Sequence, residues 1–221
     1  MANKELPYYT KGEEIFNAVT HIVGGAFGII ALIVCTFFAV KYNHDALGIF
    51  SVVLYGVSMI LLYTMSSIYH FLRRNKAKKV FRIFDHCTIY LLIAGTYSPM
   101  CLILMRDTDV GIPLFIAVWL CAIIGIVANA INMYSKPIKI LSMVLYLVMG
   151  WAVVFGFEDL MSVFSGSGFY WLLAGGLAYT IGVVFYIIGS KKKWIHGVWH
   201  LFVLLGTIFH FVSILFYVII R

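Results

Sequence analysis

Residues 46–72 read ALGIFSVVLYGVSMILLYTMSSIYHFL, with no Asp, Glu, Lys or Arg among them, and residues 73–79 follow as RRNKAKK. A helix rises 1.5 Å per residue, so about 20 apolar residues cross a hydrocarbon layer roughly 30 Å thick. This run is long enough to do so with some tilt. It is apolar all round rather than along one stripe, the pattern of a helix solvated by lipid and by other helices. No polar–apolar alternation of the kind a membrane β-strand needs is present. The stretch therefore reads as a spanning helix stopped by a basic loop.

Working outward, the same pattern recurs. Seven apolar runs lie at about 15–40, 46–72, 80–105, 112–133, 140–157, 168–189 and 194–220, separated by KYNHD, RRNKAKK, RDTDVG, YSKPIK, the longer EDLMSVFSGS, and SKKK. Of the 221 residues, 63% are hydrophobic and 11% charged, with a mean hydropathy of +1.00. An ordinary soluble globule carries about a quarter charged residues, so that class is excluded. The first run is too long for a signal-peptide core and lacks a small-residue cleavage motif, so it reads as a permanent span. Cys35, Cys87, Cys101 and Cys121 stand singly in apolar stretches, which indicates neither a disulfide framework nor a zinc finger. Pro99 and scattered glycines within the runs suit close packing or a local kink. The expected architecture is an all-α, seven-transmembrane-helix bundle forming a single domain over residues 1–221.

The net charge of +7 invites a nucleic-acid reading until the charges are placed. With the N-terminus cytoplasmic, alternate breaks collect Lys4, Lys11, Arg73, Arg74, Lys76, Lys78, Lys79, Arg82, Lys136, Lys139, Lys191, Lys192 and Lys193 on the inner side. Only Lys41, Arg106 and Arg221 fall outside, a split of 13 to 3. That split follows the positive-inside rule. The positive charge thus faces anionic inner-leaflet lipid, and no basic soluble module for nucleic acid exists. The expectation is a multi-pass protein of the cell (plasma) membrane, N-terminus inside and C-terminus outside.

Ionisable residues inside spans are costly and mark function. Asp85 is the single carboxylate well inside a run, and His21, His70, His86, His196, His200 and His210 fall in runs, leaving His44 in a loop as a solvated residue. In the topology above, His70 ends the second helix, Asp85 sits about five residues into the third, and His196 and His200 open the seventh. All four come out near the cytoplasmic edge, at one depth. His196 and His200 are four apart and share a helix face, as do Ser66 and His70. Three histidines from two helices with a position left for water form the ligand set of catalytic zinc, although imidazole also suits copper, nickel or iron. Asp85 is placed to orient the water or a ligand imidazole, or else to pair with Arg82 one turn earlier. His86 points about 100° away from Asp85 and reads as a supporting residue. His210 lies about 15 Å deeper than His200, too far to join it. On the first helix Glu14, Asn17 and His21 share a face, either as a cap with polar contacts or as support for the site.

This ordered set, Glu14xxAsn17xxThr20His21, Ser66xxxHis70, Asp85 and His196xxxHis200, resembles the progestin and adipoQ receptor family, in particular its bacterial hemolysin III branch. The resemblance covers nearly the whole chain. It implies a seven-helix fold with a cytoplasmic N-terminus, and a Zn2+ ion held by His70, His196 and His200. It further implies that Asp85 is tied to the metal through water, with Ser66 beside it. The wider superfamily includes alkaline ceramidases, so the resemblance implies zinc-dependent hydrolysis of a lipid amide. The short outer loops, and the absence here of a long N-terminal cytosolic region, argue against a hormone-receptor role.

The expected function is therefore a zinc-dependent membrane hydrolase of a lipid amide or ester, with Asp85 moving the proton and Ser66 bonding the developing oxyanion. Its partners are membrane lipids, and its lipid-like substrate enters between helices. Two rivals stand beside it. One is a non-catalytic sensor of lipid state with a structural zinc, and the other is a membrane-lytic haemolysin.

Overall fold

The computed structural model describes residues 6–164, 166–189 and 192–220. Lys4, Lys191 and Arg221, which enter the charge count above, lie outside these residues. Seven helices are long and apolar enough to cross a membrane: α1 (Lys11–Lys41), α2 (Ala46–Phe71), α3 (Lys76–Leu104), α4 (Gly111–Asn132), α5 (Lys136–Val163), α6 (Gly166–Gly189) and α7 (Ile195–Ile219). Among the described residues all regular structure is helical, so the chain is an all-α, multi-pass membrane protein.

Several helices begin before their apolar runs, because a helix starts at its cap and the run marks only the hydrocarbon. Thr10 and Glu13 form a reciprocal capping box at the start of α1. The side chains of Asp45, Asn75 and Ser135 accept from the backbone N–H groups of Gly48, Lys78 and Ile138 at 2.9, 2.9 and 3.4 Å. These caps move the start of α3 back to Lys76 and that of α5 to Lys136. Asp45 also receives the Arg106 guanidinium across the opposite end of the bundle, which holds its carboxyl below the usual carboxylate range.

Two expectations need correction. The long polar break after residue 157 is mostly helix: α5 passes through a 3-10 turn at Ala152–Gly156 and resumes as Phe157–Val163. Leu160 is fully buried, Glu158 and Asp159 occupy the first turn where the helix dipole favours them, and Asp159 accepts from the Val110 N–H at 3.1 Å. His44 is not merely solvated. Its Nε2 donates to the Ile219 carbonyl at 2.9 Å, one of the carbonyls left unpaired where α7 ends in a π-helical turn at Leu215–Ile219. A matching π turn, Met100–Leu104, follows Pro99 in α3, where the missing N–H breaks the regular ladder.

α3 is the central helix, with 78% of its apolar window buried against 22–28% for α1, α4, α5 and α6. α1 packs on α2 and α7, α2 on α3, α3 on α4, and α6 on α7. Large apolar side chains face outward instead, such as Ile30 and Ile33 on α1 and Val127 and Ile131 on α4, as lipid solvation permits. The described basic residues Lys11, Arg73, Arg74, Lys76, Lys78, Lys79, Arg82, Lys136, Lys139, Lys192 and Lys193 gather at one end of the bundle. Lys41 and Arg106 mark the other.

Close approach of α1 and α2 depends on Gly56, where a Cβ would fall 2.8 Å from the Leu32 Cα. Gly56→Leu therefore forces the helices apart and is expected to destabilise the fold by about 1–3 kcal/mol. Thermal unfolding in detergent checks this against Gly166→Ala, whose added Cβ meets nothing within 4 Å.

Candidate metal centre

At the basic end of the bundle, α2 brings His70 and α7 brings His196 and His200 to one point. Each offers a nitrogen, and the three nitrogens lie within 4.8 Å of one another in buried surroundings. This group could hold a metal ion. The α-helical four-residue offset sets His196 and His200 one turn apart on one face, with their Nε2 atoms 3.3 Å apart. Two imidazole nitrogens on a tetrahedral ion, at bonds of about 2.0–2.1 Å, stand roughly 3.3 Å from each other.

The hydrogen bonds around the rings leave the right nitrogens free. His70 Nδ1 lies 2.8 Å from Glu14 Oε2. A carboxylate accepts, so Nδ1 carries the proton and Nε2 keeps its lone pair. That Nε2 is buried with no partner, an arrangement that calls for a ligand. His200 Nδ1 donates to the Asn17 carbonyl at 3.2 Å, with Thr20 Oγ1 at 3.4 Å, and so frees its Nε2 as well. His21 stacks on His200 with ring centroids 3.7 Å apart, and both its nitrogens are buried without partners. The Glu14–Asn17–His21 face of α1 thus borders the histidine cluster.

Two side chains that sequence reasoning passed over complete this end. Lys78, counted among loop charges, is buried and donates to Glu14 Oε1 at 2.6 Å and to the Leu72 carbonyl at 3.0 Å. No local pattern in KAKK singles it out from its neighbours. Tyr9 stacks over His196 at 4.9 Å between ring centroids, inclined 22°, and leans on His70 at 5.7 Å. Burial holds its phenol well above the usual tyrosine range, so it stays neutral.

The first turn of α7 is fixed to α1. Trp194, its N-cap, has φ of 65°, a left-handed conformation that costs a bulky residue energy. Its N–H donates to Glu13 Oε1 at 2.7 Å and its ring meets the edge of Phe16. Those contacts hold the strained turn and, with it, His196 two residues on.

Asp85 is buried on α3 and does not join the three-nitrogen group. Nor does it pair with Arg82, whose guanidinium lies over the Tyr134 ring. Its Oδ2 is 3.7 Å from His86 Nδ1, and Ser66 faces it with a hydroxyl that has no close hydrogen-bond partner. His86 is occupied structurally: Nδ1 donates to the Arg82 carbonyl at 2.9 Å and Nε2 accepts from Tyr186 at 3.3 Å. His210 stands apart, its Nε2 donating to the Leu172 carbonyl at 3.1 Å.

From Asp85 an apolar cavity of about 1140 Å³, open mouth included, runs between α3, α5, α6 and α7. His21, Tyr186 and Trp199, which touch the metal-type histidines, line it together with Asp85. A second cavity of about 1040 Å³ shares Tyr97, Trp151 and His210 with the first and continues toward Met105 and Leu160. The apolar space therefore reaches from the histidine end through most of the bundle's depth.

A family model described as Haemolysin-III related matches residues 9–211. The chain is 41% identical over 209 residues to the Hemolysin-3 homolog of Bacillus subtilis (strain 168), covering 95% of this chain and 96% of the relative. It is also 41% identical over 207 residues to Hemolysin-3 of Bacillus cereus, covering 94% and 92%. At 27% identity over 207 residues it matches the human monocyte to macrophage differentiation factor, across 91% of this chain and 83% of that one, and this more distant relative is of the progestin and adipoQ receptor family. With three imidazoles gathered under a seven-helix bundle and these matches spanning nearly its full length, the chain belongs to the haemolysin-III related family of membrane proteins.

Proposed function

We propose that this protein is a zinc-dependent integral membrane hydrolase of a lipid amide or ester, with His70, His196 and His200 as the metal ligands. The observation that carries this reading is the partnerless, buried Nε2 of His70 beside the facing Nε2 atoms of His196 and His200. The neighbouring cavity ends on the lone carboxylate of Asp85. Three imidazoles suit zinc, and three protein ligands rather than four leave a position for water or substrate, which favours catalysis over a structural clamp. When bound there, zinc supplies Lewis acidity and lowers the pKa of a water toward neutrality.

The chain's own residues do the rest. Glu14 fixes the His70 tautomer and raises the basicity of its Nε2. Asp85 accepts a proton from the attacking water and returns it to the leaving amine or alcohol. Ser66, whose hydroxyl faces Asp85, donates to the oxygen that becomes negative at the substrate carbonyl. The lipid tails occupy the apolar cavity, entering between helices from the membrane, and the polar head reaches Asp85 at the basic end. The positive-inside rule supports a cytoplasmic placement of that end, and the proposed location is the cell (plasma) membrane.

Elemental analysis of purified protein is expected to give about one zinc per chain, and His196→Ala to abolish it; wild type free of metal removes the proposal. Asp85→Asn is expected to keep the metal and lose turnover of long-chain lipid amides or esters by about 10²–10⁴-fold, as followed by mass spectrometry of the released fatty acid. Full metal occupancy with no turnover of any such lipid by the wild type would instead leave a zinc clamp in a lipid sensor. Glu14→Gln is expected to weaken zinc affinity about 10–100-fold, measured by chelator competition.

A further inference from the structure

The residues just before α1 lie across the histidine cluster rather than trailing away from it. Tyr8 is 79% exposed while its neighbour Tyr9 turns inward onto the His196 and His70 rings. The segment is fastened on both sides of Tyr9. Upstream, Leu6 is buried, and Arg74 donates from Nη1 to the Pro7 carbonyl at 2.8 Å and from Nη2 to the Leu6 carbonyl at 3.0 Å. Downstream, Thr10 is held by Glu13, whose carboxylate accepts from the Thr10 N–H at 2.9 Å and hydroxyl at 2.7 Å. Arg74 comes from the loop that follows α2, so the strap spans two helices and is not merely the first turn of one.

Its position has a consequence for access. The histidines sit at the end of the bundle that meets water, and the strap lies on that end. The apolar cavity reaches their neighbours Asp85, Tyr186 and Trp199 from within the bundle. An aromatic ring flat against one imidazole and tilted on another excludes water from that approach without using a hydrogen bond.

We propose that Tyr9 determines which molecules reach the metal centre: latched by Arg74, the Leu6–Thr10 strap closes the aqueous approach and leaves the intramembrane cavity as the way in. This rests on the metal-centre reading above. Tyr9 acts here by covering ligand residues, and ring stacking rather than its hydroxyl is the operative contact.

The test uses full-length, zinc-loaded protein in lipid nanodiscs and the water-soluble chromogenic chelator 4-(2-pyridylazo)resorcinol, read as the rate of zinc release. Tyr9→Ala and Arg74→Ala are each expected to release zinc about tenfold faster than wild type, with unchanged zinc content and melting temperature. Tyr9→Phe is expected to release it at the wild-type rate. A second measurement follows modification of His196 by diethylpyrocarbonate in metal-free protein, with peptide mass spectrometry as the readout. Faster modification in the two alanine variants supports the strap. Wild-type rates of both release and modification in Tyr9→Ala and Arg74→Ala overturn it, as does a Tyr9→Phe variant that behaves like Tyr9→Ala. Wild-type protein that binds no zinc defeats the metal reading, and His196 modification then still decides the strap.

Discussion

A carboxylate among membrane helices must find partners or be neutralised, because burial of an unpaired charge costs several kcal/mol. Glu14 meets this constraint by dividing its two oxygens, one to His70 on α2 and one to Lys78 at the start of α3. The consequence is structural and chemical at once. Three helices are tied at a single point, and the same bond that satisfies the carboxylate fixes which His70 nitrogen faces the cluster. Lys78 is equally bound by the arrangement, since its buried ammonium is satisfied by Glu14 and by the carbonyls left open where α2 ends.

Beyond that point the bundle becomes apolar. Two polar groups that persist along α7 pair across the bundle: Thr207 joins Tyr63 and Tyr179 at 2.7 Å each, and Ser213 donates to the Gly168 carbonyl at 3.0 Å. Space is conserved where helices touch, as at Gly189, where a Cβ would lie 2.9 Å from the backbone nitrogen of His196. Space is left open where α5 and α6 flank α3. At the histidine end Ser66, His21 and His70 each keep a buried atom with no hydrogen-bond partner.

Much of this was legible in the sequence because membranes make unusual residues conspicuous. Histidines and one aspartate in apolar runs stand out, and the alternation of basic loops puts His70, Asp85, His196 and His200 at one depth before any coordinates are known. What stayed hidden depends on tertiary contacts that leave no periodic trace. Lys78 sits in a basic run whose other members face solvent, and only the position of Glu14 across the bundle explains its burial. Tyr9 precedes every apolar run, and its inward turn is set by Arg74, sixty-five residues away. The helical continuation at Phe157–Val163 was obscured by its acidic first turn, which reads as loop until the burial of Leu160 is seen.

The charges around the cluster form a coherent set. Glu14 and Lys78 offset one another, Glu13 accepts from the Thr10 and Trp194 N–H groups, and Asp85 has His86 as its one basic group within ion-pair distance among the described residues. On the proposed reading, neutral imidazoles would leave a bound divalent cation's charge uncompensated, and Asp85 would offset part of it. A substrate oxygen gaining negative charge in the proposed hydrolysis would offset more of it, and the apolar cavity walls would strengthen that attraction by excluding water. The placement of Glu14 against Lys78, rather than free beside Asp85, therefore keeps its negative charge from opposing a developing anion at the proposed metal.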